Sequence, residues 1–147
     1  MIHRISPSAL MQSTHERLRG AIAEVADNRL KDHRKGPFSI ESERVDNLPA
    51  YSVINAQPHT DKETHPWTAV WVLCADYHWF FVRHARWTRS KPLATGTVYL
   101  FRCHFTHWTE DGVGPLVFCA LDFQNKPDDA EMMRRYEGFI RQTEKAA

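Results

Sequence analysis

Apolar positions in the first part of the chain recur at helical spacing. Leu18, Ile22, Val25, Ala26 and Leu30 fall on one stripe, with Glu, Arg, Asp and Lys between them. Ser13-Thr14-His15-Glu16 has the form of a capping box, a hydroxyl residue followed three positions later by glutamate. The pattern predicts a helix over 14–31, ended by the Lys31-Asp-His-Arg-Lys-Gly-Pro37 stretch. Residues 1–12 carry no period and contain Pro7, so they read as an N-terminal tail.

The middle of the chain changes period. Phe38-Ser-Ile-Glu-Ser, Tyr51-Ser-Val-Ile-Asn, Thr68-Ala-Val-Trp-Val-Leu-Cys, His78-Trp-Phe-Phe-Val-Arg, Thr97-Val-Tyr-Leu-Phe and Leu116-Val-Phe-Cys-Ala-Leu are short runs of β-branched and aromatic residues. Turn material separates them, and the gaps are too short for βαβ crossovers, so the predicted sheet is antiparallel. Helical spacing returns after Pro127-Asp128-Asp129, where Met132, Met133, Tyr136, Phe139 and Ile140 form one stripe. The expectation is one domain over 1–147. It is mainly β, with a barrel core at 37–123 of the jelly-roll or cupin-like kind, flanked by helices at 14–31 and 127–143.

Composition narrows the class. With 147 residues, 42% hydrophobic and 25% charged, the chain suits an ordinary globular domain. Nineteen basic residues face 18 acidic ones, so no whole-chain field draws it to nucleic acid or an anionic membrane. No apolar run is long enough to cross a bilayer, and the start shows no secretory leader. Cys74, Cys103 and Cys119 lack metal or redox spacing and sit among apolar neighbours, which points to reduced thiols and a cytoplasmic setting. Nine histidines raise the question of a metal.

Candidate chemistry gathers at His59-Thr60-Asp61. In extended chain, positions i and i+2 share a face, so one imidazole and one carboxylate can reach one ion. A third ligand can come from Cys103-His104-Phe-Thr-His107, at the end of the strand that begins near Gly96. Two histidines and a carboxylate on one side of a metal describe the facial triad of non-haem Fe(II) oxygenases. Positions three apart in a strand face opposite ways, so His104 and His107 compete for the third place.

Pro58-His59-Thr60-Asp61, the aromatic strand pair at 68–83, and Gly96-x-x-x-Leu100-Phe101 with His107 six residues on resemble an Fe(II)/2-oxoglutarate-dependent oxygenase over roughly residues 50–123. The resemblance implies an antiparallel double-stranded β-helix, with His59, Asp61 and His107 as iron ligands and 2-oxoglutarate as co-substrate. It implies an oxidoreductase that hydroxylates a small-molecule or macromolecular substrate. The family's usual basic residue on the last core strand is missing from Gly114-Pro-Leu-Val-Phe-Cys-Ala-Leu. Arg83 is the candidate to hold the far carboxylate instead, with Tyr51 and Asn55 as hydrogen-bonding partners. Trp67, Trp71, Trp79 and Trp108 are candidates for the pocket wall.

Two other function classes stay in view. One is a non-catalytic barrel that binds a small ligand or protein partner, since fold does not fix function. The other is a nucleic-acid-binding module built on Arg83-His-Ala-Arg-Trp87-Thr-Arg-Ser-Lys91, where basic residues surround a tryptophan. Nucleophile elbows, phosphate-binding glycine loops and dinucleotide motifs are absent from the sequence. His104-x-Thr106 and His107-x-Thr109 adjoin each other, which excludes a two-histidine phosphoesterase needing its motifs on separate strands.

Overall fold

The computed structural model describes residues 1–61 and 65–145. In chain order the described elements are β1 (His3–Ile5), α1 (Ala9–Arg17), α2 (Arg19–Lys31), β2 (Glu41–Val45), β3 (Leu48–Val53), β4 (Trp67–Cys74), β5 (Trp79–His84), β6 (Trp87–Pro92), β7 (Val98–Arg102), β8 (Thr106–Glu110), β9 (Leu116–Phe123) and α3 (Asp129–Lys145). Every described strand pairing is antiparallel. The strands form a six-stranded sheet, β1-β7-β4-β9-β3-β2, and a three-stranded sheet, β6-β5-β8. The architecture is an antiparallel β-sandwich with three helices.

Alternation along the large sheet explains the layers. Ala69, Trp71 and Leu73 of β4, Val98 and Leu100 of β7, and Val117 and Cys119 of β9 pack against Met11, Leu18, Ile22, Met132, Tyr136 and Ile140 of the helical side. The opposite parity, including Val72, Tyr99, Phe101 and Leu116, packs with Phe80 and Val82 of the small sheet. The central strands are therefore covered on both faces, which is why they read as continuous apolar runs rather than clean alternation. The Tyr136 hydroxyl, carried into the helical core by α3, donates to the carbonyls of Ala69 and Cys119. Burial alone would make that hydroxyl costly, and these two acceptors offset it.

Several elements differ from the sequence expectation. The predicted helix over 14–31 is two helices that meet at Leu18, and the first begins upstream of the capping-box motif. Its actual cap is Ser8, whose hydroxyl accepts from the Met11 backbone N–H at 3.3 Å. Pro7 precedes that cap and so does not oppose the helix. The tail at 1–12 accordingly contains β1, which pairs with β7, and the start of α1. The strand expected to run from Gly96 to His107 is broken by a turn at 103–105, where the Phe105 N–H donates to Arg102 O at 3.1 Å. His107 consequently lies on β8, in the other sheet.

Arg29 falls on the polar side of the predicted helix, yet it is buried. Its guanidinium donates to Ser52 O, Ser52 Oγ, Gly36 O and Ser39 O, and Ser52 Oγ in turn donates to Glu43. The group ties α2, the following loop and β3 together. It satisfies a buried cation with acceptors rather than leaving it bare.

At one end of the sandwich His78 is almost wholly buried. The Asp76 N–H donates to its Nδ1 at 2.9 Å, so Nε2 carries the proton that reaches Ile54 O at 2.7 Å. Burial holds the imidazole below its ordinary titration range, against smaller opposing contributions from the Ile54 carbonyl and Asp76. Because the folded group resists a proton that the unfolded group accepts near pH 6.5, stability is expected to fall as pH drops below that value. The slope approaches at most about 1.4 kcal/mol per pH unit for this one proton. Denaturant midpoints between pH 7.5 and 5.5 should show the decline, and His78→Asn should flatten it; an equal decline in both proteins would assign it to other groups.

Candidate metal centre

The segment after β3 adds itself to the edge of β8. Ala56 N–H donates to Thr109 Oγ1 at 2.8 Å, and Thr109 N–H donates to Ala56 O at 3.0 Å. Three residues on, His59 and His107 exchange both backbone hydrogen bonds, at 3.1 and 2.9 Å. Directly opposed residues in an antiparallel pair project to the same face. Their imidazoles accordingly sit with ring centroids 4.2 Å apart. Asp61, two residues beyond His59, returns to that face and is anchored by its own N–H to Cys103 O at 3.1 Å.

The ligand atoms of His59, Asp61 and His107 all lie within 4.8 Å of one another. His107 Nε2 is 3.3 Å from one Asp61 oxygen, and His59 Nε2 is 3.8 Å from the other. Each imidazole commits its other nitrogen to a carbonyl two residues back: His59 Nδ1 to Gln57 O at 2.7 Å and His107 Nδ1 to Phe105 O at 2.8 Å. These partners make Nδ1 the protonated nitrogen in the neutral ring and leave both Nε2 lone pairs facing a carboxylate. Three acceptors turned toward one point can hold a cation between them. The donor set and the fixed outer nitrogens fit a metal. The contact with His107 holds the Asp61 carboxyl below the usual carboxylate range, against the opposing effect of its partial burial.

The centre opens into a cavity of about 250 Å³ between the two sheets. Val70, Tyr99, Phe101, Phe118 and Ala120 line it from the large sheet, and Phe80 and His107 from the small one. The Phe101 and His107 rings meet at 4.9 Å, and Phe80 packs on Phe101 at 4.7 Å. Apolar walls beside the imidazoles keep bulk water away from that side.

The other expected site residues fall in different places. His104 is exposed in the β7–β8 turn, with its Nε2 3.3 Å from the Arg102 guanidinium, and stands apart from the cluster. Tyr51 lines the cavity and stacks on Phe118 at 5.5 Å. Asn55 does not line it. Its side chain donates to Gly112 O and accepts from Gly112 N–H, both at 3.0 Å, and so closes one end of the sandwich.

Arg83 corrects the expectation that it points inward. Val82 and Phe80 take the buried parity of β5, so Arg83 is exposed on the outer face, with its guanidinium over the Trp108 ring. Of the four tryptophans expected to wall the pocket, only Trp108 borders it, and its ring lies on the outer face of β8, stacked on Phe81. Trp71 is buried against Tyr136 on the helical side, Trp67 packs there too, and Trp79 is exposed. The basic stretch at 83–91 forms the β5–β6 hairpin, where Arg89 covers Trp87 as Arg83 covers Trp108.

Sequence reasoning missed three polar residues of the cavity, Thr68, Thr109 and Asp122. The Thr68 hydroxyl donates to Asp122 Oδ1 at 2.8 Å across the β4–β9 register. A lone polar residue at alternate spacing in an apolar strand was the available signal.

The chain matches no family model and no curated protein. Among solved structures it is similar to a non-heme alpha-ketoglutarate-dependent carbocyclase, SnoK, from nogalamycin biosynthesis. That match has a TM-score of 0.48 and 12% identity, and covers 89% of this chain and 85% of that one.

If His107 and not His104 completes the cluster, their alanine variants should separate cleanly. A divalent ion that binds only the folded protein raises its stability by about 2.7 kcal/mol at a concentration one hundred times its dissociation constant. Mn(II) or Fe(II) under anaerobic conditions should raise the melting temperature of the native protein and of His104→Ala, and leave that of His107→Ala unmoved. The reverse pattern would place the third ligand in the turn.

Proposed function

We propose that the chain is a mononuclear non-haem Fe(II) oxygenase acting on a small substrate. The observation that supports this reading most is the pair of imidazoles, each with Nδ1 tied to a carbonyl and Nε2 turned to the Asp61 carboxylate, at the wall of an apolar cavity. Two histidines and one carboxylate hold a divalent ion on one face and leave the opposite positions open, the arrangement associated with iron oxygenases. Asp61 offsets one of the ion's two charges. Gln57 O and Phe105 O orient the imidazoles. Phe80 and Phe101 exclude water beside them. Bound iron would supply activation of dioxygen. On this reading the sandwich is a reduced form of the double-stranded β-helix.

2-Oxoglutarate fits this site only in part. Its 2-oxo carboxylate needs nothing more than adjacent open positions on a metal. Its far carboxylate needs a cation, and none of the described cavity-lining residues is Arg or Lys. Arg83 lies outside, and Lys62, next to Asp61, is beyond the described residues. The same lining also suits a non-catalytic ligand-binding barrel, so iron and dioxygen separate the two readings.

The test is an anaerobic Fe(II) titration of the native protein and Asp61→Ala, repeated with 2-oxoglutarate while the visible charge-transfer band is followed, and then exposure to oxygen. One equivalent of iron bound by the native protein, at least ten-fold weaker binding by Asp61→Ala and iron-dependent oxygen consumption are expected. Equal iron binding by the two proteins would overturn the metal centre. Bound iron inert to oxygen in the presence of 2-oxoglutarate would favour the ligand-binding barrel. Arg83→Ala should leave any 2-oxoglutarate band unchanged, because its guanidinium is on the outer face.

A further inference from the structure

We infer that the cavity is built for a small ligand carrying a cationic amino group, with Asp122 as its seat. The proposal names the substrate class of the iron site and rests on that reading only for what happens to the ligand, not for its binding. Asp122 lines the cavity at its exposed edge, on the face of β9 that also presents Ala120 and Phe118. Thr68 is its direct partner across the sheet, and the Thr68 hydroxyl donates to Oδ1. That bond fixes the carboxylate's direction while Oδ2 stays available. No ion pair to Asp122 is made among the described residues.

The rest of the lining gives the ligand its length and body. Alternate residues on a strand lie about 7 Å apart, so the row from Asp122 through Ala120 to Phe118 runs about 14 Å. Ala120 and Val70 leave a shallow floor between the carboxylate and the stacked Tyr51–Phe118 pair. An alkyl or aryl chain can lie on that floor with its ammonium on Asp122. The metal ligands are close to the same end. Asp61 is anchored to Cys103, the first residue of the turn after β7, and Phe101 of β7 is the partner of Thr68. A ligand held by Asp122 accordingly brings its first carbons toward the imidazoles. Two carboxylates in one half-buried cavity repel a second acid group and attract a cation, since charges there are less screened than in water.

The test uses three probes of equal length, hexylamine, hexanol and hexanoate, titrated calorimetrically at neutral pH into the metal-free native protein and into Asp122→Asn. The asparagine variant keeps the size of the side chain and an oxygen for the Thr68 hydroxyl. Hexylamine should bind the native protein at least ten-fold more tightly than hexanol, and hexanoate more weakly than either. Asp122→Asn should erase the amine's advantage and leave hexanol unchanged. Equal binding of amine and alcohol by the native protein would overturn the proposal, and so would a preference that survives in Asp122→Asn. Because no metal is present, the outcome is independent of the iron titration. An amine preference without iron binding would leave the pocket assignment standing and remove the oxygenase reading, and iron binding without the preference would do the opposite.

Discussion

The site depends on two backbone hydrogen bonds, those that His59 and His107 exchange. They place two imidazoles side by side from segments 48 positions apart in sequence (107 − 59). They also set the phase of everything nearby. Side chains alternate with a period of two, so a slip of one residue would send His59 and Asp61 to the outer surface together. Thr109, two residues past His107, guards this register because its hydroxyl and its N–H both bind Ala56. A polar side chain in the cavity wall thus works on the backbone beside the centre.

That local register needs a rigid support, and the large sheet supplies one. Its central strands are covered by helices on one face and by the small sheet on the other, so their apolar residues are buried whichever way they point. The small sheet has only three strands, and its outer face carries Trp79, Phe81, Arg83 and Trp108, with Phe81 and Trp108 stacked almost parallel at 5.3 Å. The inner residues Phe80 and Val82 hold this sheet to the larger one. The cavity remains where this smaller layer stops short of β9 and β3.

How far the sequence could be read depended on whether a signal was local. His59-x-Asp61 was legible because a period of two needs no knowledge of the partner strand. Most of the strand runs and the C-terminal helix were legible because their signals are equally local, although the run at 38–42 lies mostly ahead of β2 and β1, β6 and β8 were not separated as strands. The break at Leu18 was not, since the apolar stripe continues through it, and the Ser8 cap was hidden by reading Pro7 as a breaker rather than as the residue before a cap. Arg83 shows the limit most clearly. Trp79-Phe80-Phe81-Val82 is apolar at both parities, so the inward face cannot be chosen from that strand. The choice comes from β8, where Val82 stands opposite His107. Once His107 points inward Val82 must as well, and Arg83 is sent to the surface. Asn55 was lost differently, because the chain bends after Val53 and strand parity no longer applies.

β9 carries both halves of the molecule's economy. Val117, Cys119 and Leu121 belong to the helical core, and Phe118, Ala120 and Asp122 form the cavity floor. Burial pushes the Cys119 thiol far above the range in which it ionises, so on that face it is an inert apolar group. One residue away, on the opposite face, Ala120 and Asp122 are small or polar in a layer that elsewhere carries Leu116 and Phe118. Ala120 and Asp122 contribute little to the core, and a larger apolar residue at either position would fill the space between the sheets. A strand that is densely packed on one side and leaves room on the other preserves an interior volume while the fold's stability comes from the helices behind it. His59 and Asp61 arrive at the edge of that volume on the segment after β3, beside His107 of β8. The packed side of β9 therefore holds the cavity open for them, and the open side determines what can lie beside them.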